Sequence, residues 1–98
     1  MSEGASNGSP GNALSAAAAI WSAREVVVEL TGRQPEGISR LNRTDGGGWE
    51  VGVDVVELTR VPSSTDLLAT YEIRLDGEGS LLDMERTRRY TRNQVDKE

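Results

Sequence analysis

The chain has 98 residues and contains neither histidine nor cysteine. There is consequently no imidazole base, no thiolate nucleophile and no zinc site of the usual nitrogen and sulfur type. Chemistry, if any, falls to carboxylates, hydroxyls, lysine and arginine. Asp54, Glu57 and Asp66 are the candidates for an acid/base pair or a metal site, and catalysis would require them to converge in a water-restricted cleft. Nothing in their spacing supports that, and solvent-facing strand carboxylates, with Asp66 shaping a turn, account for them. Gly46-Gly47-Gly48 lacks the Lys-Ser/Thr of a phosphate-binding loop and opens a strand instead of a helix, so it reads as a hairpin turn. No catalytic residue, metal ligand or cofactor is expected.

The distinctive charge feature lies near the C-terminus. Arg86, Arg88, Arg89 and Arg92 fall within seven residues that carry no acid, on a chain whose formal net charge is -5. With Tyr90 among them they could clamp an acidic partner surface, because guanidinium forks make bidentate bonds to carboxylates. Local pairing with Asp83, Glu85 or Glu72 across a sheet would make them an ordinary solvated strand end. Binding of RNA phosphates is a weaker alternative, since the chain as a whole is acidic. Trp21 lies beside the apolar stripe described next and either covers a sheet edge or faces a partner.

The elements that must hold these residues follow from periodicity. From about Ala13 to Thr31 the apolar residues Ala16, Ile20, Ala23, Val27 and Leu30 recur at spacings of four, three, four and three, which is one stripe of a helix. Gly32 stands at the expected C′ position and Pro35 bars continuation. After Pro35 the period becomes two. Turn signals at Asp45-Gly46-Gly47-Gly48, Pro62-Ser63-Ser64 and Asp76-Gly77-Glu78-Gly79 divide the remainder into four strands, near 37–44, 48–61, 66–76 and 80–90.

Trp49, Val51, Val53 and Val55 share one strand face; the alternation slips at Val56 and Leu58, which predicts a β-bulge near Val55 to Glu57. Leu67, Ala69, Tyr71, Ile73 and Leu75 form the core face of the third strand. In the fourth, Leu82 and Met84 continue core parity, and Arg86 and Arg88 take the next positions on that face. The expected fold is α+β: one N-terminal helix packed on one face of a four-stranded antiparallel meander, with the other face polar. The fourth strand outruns the helix, so its arginine end extends beyond the covered area.

Nine of the first twelve residues are Ser, Gly, Asn or Pro, which predicts a disordered leader over 1–12, a single domain over 13–92 and a flexible tail over 93–98. No apolar stretch approaches the roughly 20 residues that span a bilayer, and the leader has no positive region of a signal peptide. A cytoplasmic protein without membrane contact is expected.

The run Trp49-Glu-Val-Gly-Val-Asp-Val-Val-Glu-Leu-Thr-Arg-Val-Pro, followed by Asp66-Leu-Leu-Ala-Thr-Tyr-Glu-Ile-Arg-Leu-Asp and then Arg86-Thr-Arg-Arg-Tyr-Thr-Arg, resembles the gas vesicle synthesis protein O family, GvpO. The likeness covers about residues 20 to 95. It implies an accessory protein of gas vesicle formation, associated with the vesicle and working with the shell protein and other accessory proteins as a non-catalytic interaction module. The partner-binding residues expected are Arg86, Arg88, Arg89, Tyr90, Arg92 and Trp21. A regulatory RNA-binding protein acting through the arginines is the alternative. No catalytic residues are carried over from the family.

Overall fold

A computed structural model describes residues 14–95; the expected leader therefore lies outside the described residues. The order is helix α1 (Ala16–Thr31), strands β1 (Pro35–Arg43) and β2 (Trp49–Leu58), a 3-10 turn (Ser63–Thr65), strands β3 (Leu67–Leu75) and β4 (Leu81–Thr91), and a short helix α2 (Arg92–Val95). The strands form one antiparallel sheet in the order β1-β2-β3-β4. The fold is thus the α+β meander with a single covering helix. Residues 92–95 make one helical turn, and the rest of the expected tail lies outside the described residues.

Helix α1 is capped at both ends by the residues its sequence supplies. The Ser15 hydroxyl accepts from the Ala18 amide at 3.1 Å, satisfying one of the orphan donors of the first turn. At the other end Gly32 takes a left-handed conformation, φ 73°, and its amide donates to the Val28 carbonyl at 2.8 Å. The Val26-Val27-Val28 triplet is helical despite its β-preferring composition. Burial selects a ridge at spacing four, Ala19, Ala23 and Val27, with Ala16 and Val26 packed against it. This corrects part of the expected stripe: Leu30 is exposed and Ile20 only half-buried. Small side chains on the ridge let the helix backbone approach the sheet closely, which tilts the stripe toward the alanines.

The sheet face beneath α1 carries Trp49, Val51, Val53, Val55, Ala69, Ile73 and Leu75, all buried. Trp49 is 7% exposed, and its indole Nε1 donates to the Leu14 carbonyl at 2.9 Å, tying the start of the helix to the start of β2. At the same end Gly48 lies so near β3 that a Cβ there would sit 2.1 Å from the Leu75 carbonyl oxygen. Only glycine permits that approach.

The opposite sheet face is solvated and carries ion pairs. Arg40 bridges Glu50 and Glu72, and Arg74 bridges Glu50 and Asp83. Helix α1 packs chiefly over β1, β2 and β3. Four strands at about 4.8 Å spacing span roughly 14 Å between outer axes, more than one helix of about 10 Å diameter can cover. The edge strand β4 is therefore largely exposed along its length. The overhang is lateral, at the β4 edge.

Candidate functional site

Three irregularities in strand pairing decide where the basic residues of β4 go. The bulge anticipated in β2 is present, with Glu57 as the extra residue between Val56 and Leu58. A second falls in β4: Thr70 pairs with Arg88 and Tyr71 with Arg86, leaving Thr87 extra. A third leaves Leu82 extra, between Asp83 opposite Arg74 and Leu81 opposite Leu75. Each bulge reverses side-chain alternation. Leu82 is accordingly exposed and outside the core. Arg86 and Arg89 then lie on the helix-covered face and Arg88 and Tyr90 on the solvated one, which corrects the expectation that Arg86 and Arg88 share a face.

The sheet end where α1 terminates thus holds three arrangements. On the helix side, Glu57 receives Arg86 Nη1 at 3.2 Å and Arg89 Nε at 2.9 Å. Arg33, just past the helix, donates Nη1 to the Glu57 backbone carbonyl at 2.6 Å. The Glu57 side chain is only 8% exposed, whereas both arginines on its carboxylate are about half exposed. Desolvation is the largest single influence on this carboxyl and pushes its pKa up; the hydrogen bonds and charges of Arg86 and Arg89 together outweigh it and hold the pKa below the usual range.

On the solvated face, the Arg88 guanidinium lies 4.4 Å from the Tyr90 ring centroid, within cation–π range. Thr70 Oγ1 donates to Asp54 Oδ1 at 2.6 Å, across the strands from Arg88. Burial, followed by the negative charge of Asp54, raises the Tyr90 pKa. Arg88 has no ion pair among the described residues.

The third arrangement closes the end of the sheet. Arg92 reaches back to Glu36, with Nη1 on Oε2 and Nη2 on Oε1, and its Nη2 also donates to Asp66 Oδ2 at 3.0 Å. Asp66 is 5% exposed, and its other carboxylate oxygen accepts from the Arg60 amide at 2.8 Å. That backbone bond, with the Arg92 contacts, lowers the Asp66 pKa against the opposing effect of desolvation. The Arg92 hydrogen bond likewise lowers Glu36, and both carboxylates push Arg92 further above its ordinary value.

The arginines therefore pair with Glu57, Glu36 and Asp66 and not with Asp83, Glu85 or Glu72, the partners their strand positions suggested. The sequence favours solvent-facing or turn carboxylates at Glu57 and Asp66 over an acid/base pair or metal site and does not pair them with the arginines; the bulge expected near Val55 to Glu57 is the one signal that sets Glu57 apart. Trp21 does not join this end. It is 64% exposed and lines an open groove of about 410 Å³ with Arg24, Glu25, Val28, Glu29, Gln34 and Pro35, beside β1 and so at the sheet edge opposite β4. No cluster of three or more potential metal ligands occurs among the described residues, and no helix there is long and apolar enough to cross a membrane.

Fold and site together define a small α+β domain with one covered and one solvated sheet face, in which Arg86, Arg89 and Arg92 near the end of β4 pair with Glu57 of β2, Glu36 of β1 and Asp66 of the connection before β3. The family model described as "Gas vesicle synthesis protein GvpO" matches residues 2–96, and the chain belongs to that family. "Gas vesicle protein O" of Streptomyces sp. (strain CB03234) is 45% identical over 71 residues, which are 72% of this chain and 55% of that protein. "Gas vesicle protein O" of Haloferax mediterranei is 36% identical over 96 residues, 98% of this chain and 69% of the relative. "Gas vesicle protein O1" of Halobacterium salinarum is also 36% identical, over 97 residues, with 96% of this chain and 81% of the relative covered. The match thus spans little more than half the length of the Streptomyces relative. No solved structure matches. The family is named for gas vesicle synthesis and not for a catalysed reaction.

Proposed function

We propose that this chain acts in gas vesicle assembly as a non-catalytic interaction module that binds another gas vesicle protein, shell or accessory, through its arginine-bearing edge. One observation carries the reading: Arg86, Arg88 and Arg89 stand on an exposed edge strand and meet a single carboxylate, Glu57, among the described residues. An acidic partner surface would complete the charge balance, and charge complementarity of this kind steers encounter and fixes register. Arg88 and Tyr90 provide the contact on the solvated face, and Arg86 and Arg89 the contact on the other. Arg92 supports the edge from below by holding Asp66 and Glu36. Trp21, on the opposite edge, provides a separate contact. Association with the vesicle, within the cytoplasm, follows from the same reading.

Arg88→Glu is the direct test, because Arg88 has no ion pair to lose and its replacement should leave folding intact. Reversal at Arg86 or Arg89 would instead place like charges around the nearly buried Glu57, so those positions are tested as Arg86→Gln and Arg89→Gln with Glu57→Gln. Capture of purified gas vesicle proteins should fall at least tenfold in each case, with vesicle formation reduced in parallel and the circular dichroism melt of Arg88→Glu unchanged. Folded variants that bind and support vesicles like the wild type would overturn the proposal. Salt-dependent RNA binding lost with Arg88→Glu, without loss of protein capture, would replace it by a nucleic-acid role.

A further inference from the structure

The Leu58-Thr59-Arg60-Val61-Pro62 run, part of the sequence signature, serves neither the core nor the arginine edge. Antiparallel neighbours are commonly joined by two to five residues, yet the connection from β2 to β3 occupies Thr59 to Asp66. It is closely held. The nearly buried Asp66 carboxylate accepts the Arg60 amide on one oxygen and Arg92 on the other. Arg92 also donates its backbone amide to the Asp66 carbonyl at 2.8 Å. Thr65 donates both its amide, at 3.0 Å, and its hydroxyl, at 2.7 Å, to the Pro62 carbonyl, and the Asp66 amide donates to Ser63 at 2.9 Å.

What this brace presents to solvent is apolar. Val61 is 98% exposed, with Leu58 at 49% beside it in sequence and Pro62 also exposed. A single exposed apolar residue is ordinary. A valine at nearly full exposure, on a backbone anchored by a buried carboxylate and its arginine, has no packing role in this fold. The charge around it is lopsided: Arg60 has no ion pair among the described residues, and the nearby end of β4 brings Arg86 and Arg89 to one shared acid. Register places Leu58 across from Leu67, and Leu67 across from Thr91 at the end of that basic run.

We propose that residues 58–62 form a docking finger whose Val61 tip, flanked by Leu58 and Arg60, enters an apolar socket edged by carboxylates on another gas vesicle protein. The carboxylate edge follows from the surplus of arginine around the tip, and the socket from the isolated aliphatic side chain. Pre-ordering by Asp66 and Arg92 reduces the conformational entropy lost on binding. This inference rests on the interaction-module reading and adds to it a contact that is apolar and independent of the arginine edge.

The test uses the full chain with the photoreactive residue p-benzoyl-phenylalanine at position 61, and at exposed Glu78 in the turn at the far end of the sheet as control. Each is expressed with the complete set of vesicle genes, and crosslinked peptides are identified by mass spectrometry. Position 61 should label one gas vesicle protein at apolar residues adjoining Asp or Glu, and position 78 should not. Val61→Asp and Val61→Ser should melt within about 2 °C of the wild type while capture of the labelled protein falls at least tenfold, and Val61→Ile should bind normally. Labelling of a second copy alone, labelling of RNA, or no labelling at 61 would overturn the finger, as would undiminished capture by Val61→Asp. If capture survives Val61→Asp but not Arg88→Glu, the finger fails and the arginine edge stands; if it survives both, both readings fail.

Discussion

Replacement of Trp49 by alanine should remove a large part of the stability of the domain. The indole is 93% withdrawn from solvent, the complement of its 7% exposure. It belongs to the same core cluster as Ala23, Val51 and Leu75 and stands opposite Leu75 in the register of β2 and β3. A buried tryptophan withdraws roughly 150 to 250 Å² from water, which at about 25 cal/mol per Å² corresponds to roughly 4 to 6 kcal/mol before the alanine Cβ is credited. Loss of the 2.9 Å bond from Nε1 to Leu14 adds to this, and measured Trp→Ala losses of about 3 to 5 kcal/mol agree. A domain of some 80 residues has only about 4 to 12 kcal/mol in total. At about 4 to 8 °C per kcal/mol, Trp49→Ala should lower Tm by more than about 12 °C or leave the chain unfolded at room temperature. Trp49→Phe retains most of the apolar area but forfeits the bond to Leu14 and should lose roughly 1 to 2 kcal/mol. Trp21→Ala, at an exposed site, should stay within about 0.5 kcal/mol of the wild type. Urea unfolding followed by circular dichroism, with iodide quenching of single-tryptophan variants, measures all three. Equal losses for Trp49→Ala and Trp21→Ala, or a Trp49 quenched as freely as Trp21, would refute the strand parity on which the core is built.

Gly48→Ala should destabilise by roughly 2 to 3 kcal/mol, because its Cβ would meet backbone at Leu75 and Asp76 that cannot rotate aside; Gly46→Ala, with open space around it, should change the urea midpoint little. Lowered pKa values at Glu36, Glu57 and Asp66 mean that the unfolded chain binds protons more readily. Their contribution is therefore complete above the ordinary carboxylate range of about 3.9 to 4.3 and is lost as pH falls through it toward the folded values. Thermal melts between pH 6 and 3 should show Tm falling below about pH 4.5, and a flatter profile for Glu57→Gln; a Tm that rises on acidification would contradict the pairing. Asp66→Ala should lower Tm and raise amide exchange at Arg60 above that at Glu78, since Arg60 N–H loses its acceptor; unchanged exchange would count against the brace.

Much of the architecture is determined by the sequence alone because it depends on short-range periodicity and punctuation. A 3.6-residue stripe stopped by Gly32 makes one helix; period-two runs separated by two Gly-rich turns and by Pro62-Ser63-Ser64 make four strands; and the slip of alternation after Val55 marks a bulge whatever the sheet partners are. The fate of the arginines was decided only in the tertiary structure. Whether Arg88 lies with Arg86 depends on the bulge at Thr87, which exists only by reference to the register of β3, and nothing in the alternation of Arg86 to Tyr90 announces it. Glu57 with Arg86 and Arg89, and Arg92 with Glu36 and Asp66, are separated by 26 to 56 residues along the chain. They meet because the antiparallel meander brings the starts of β1 and β3 and the ends of β2 and β4 to the same end of the sheet. The exposure of Trp21 and Val61 is likewise tertiary: Trp21 lies on α1 away from the Ala19, Ala23 and Val27 ridge that meets the sheet, and Val61 lies in the connection between β2 and β3, outside the sheet that the helix covers.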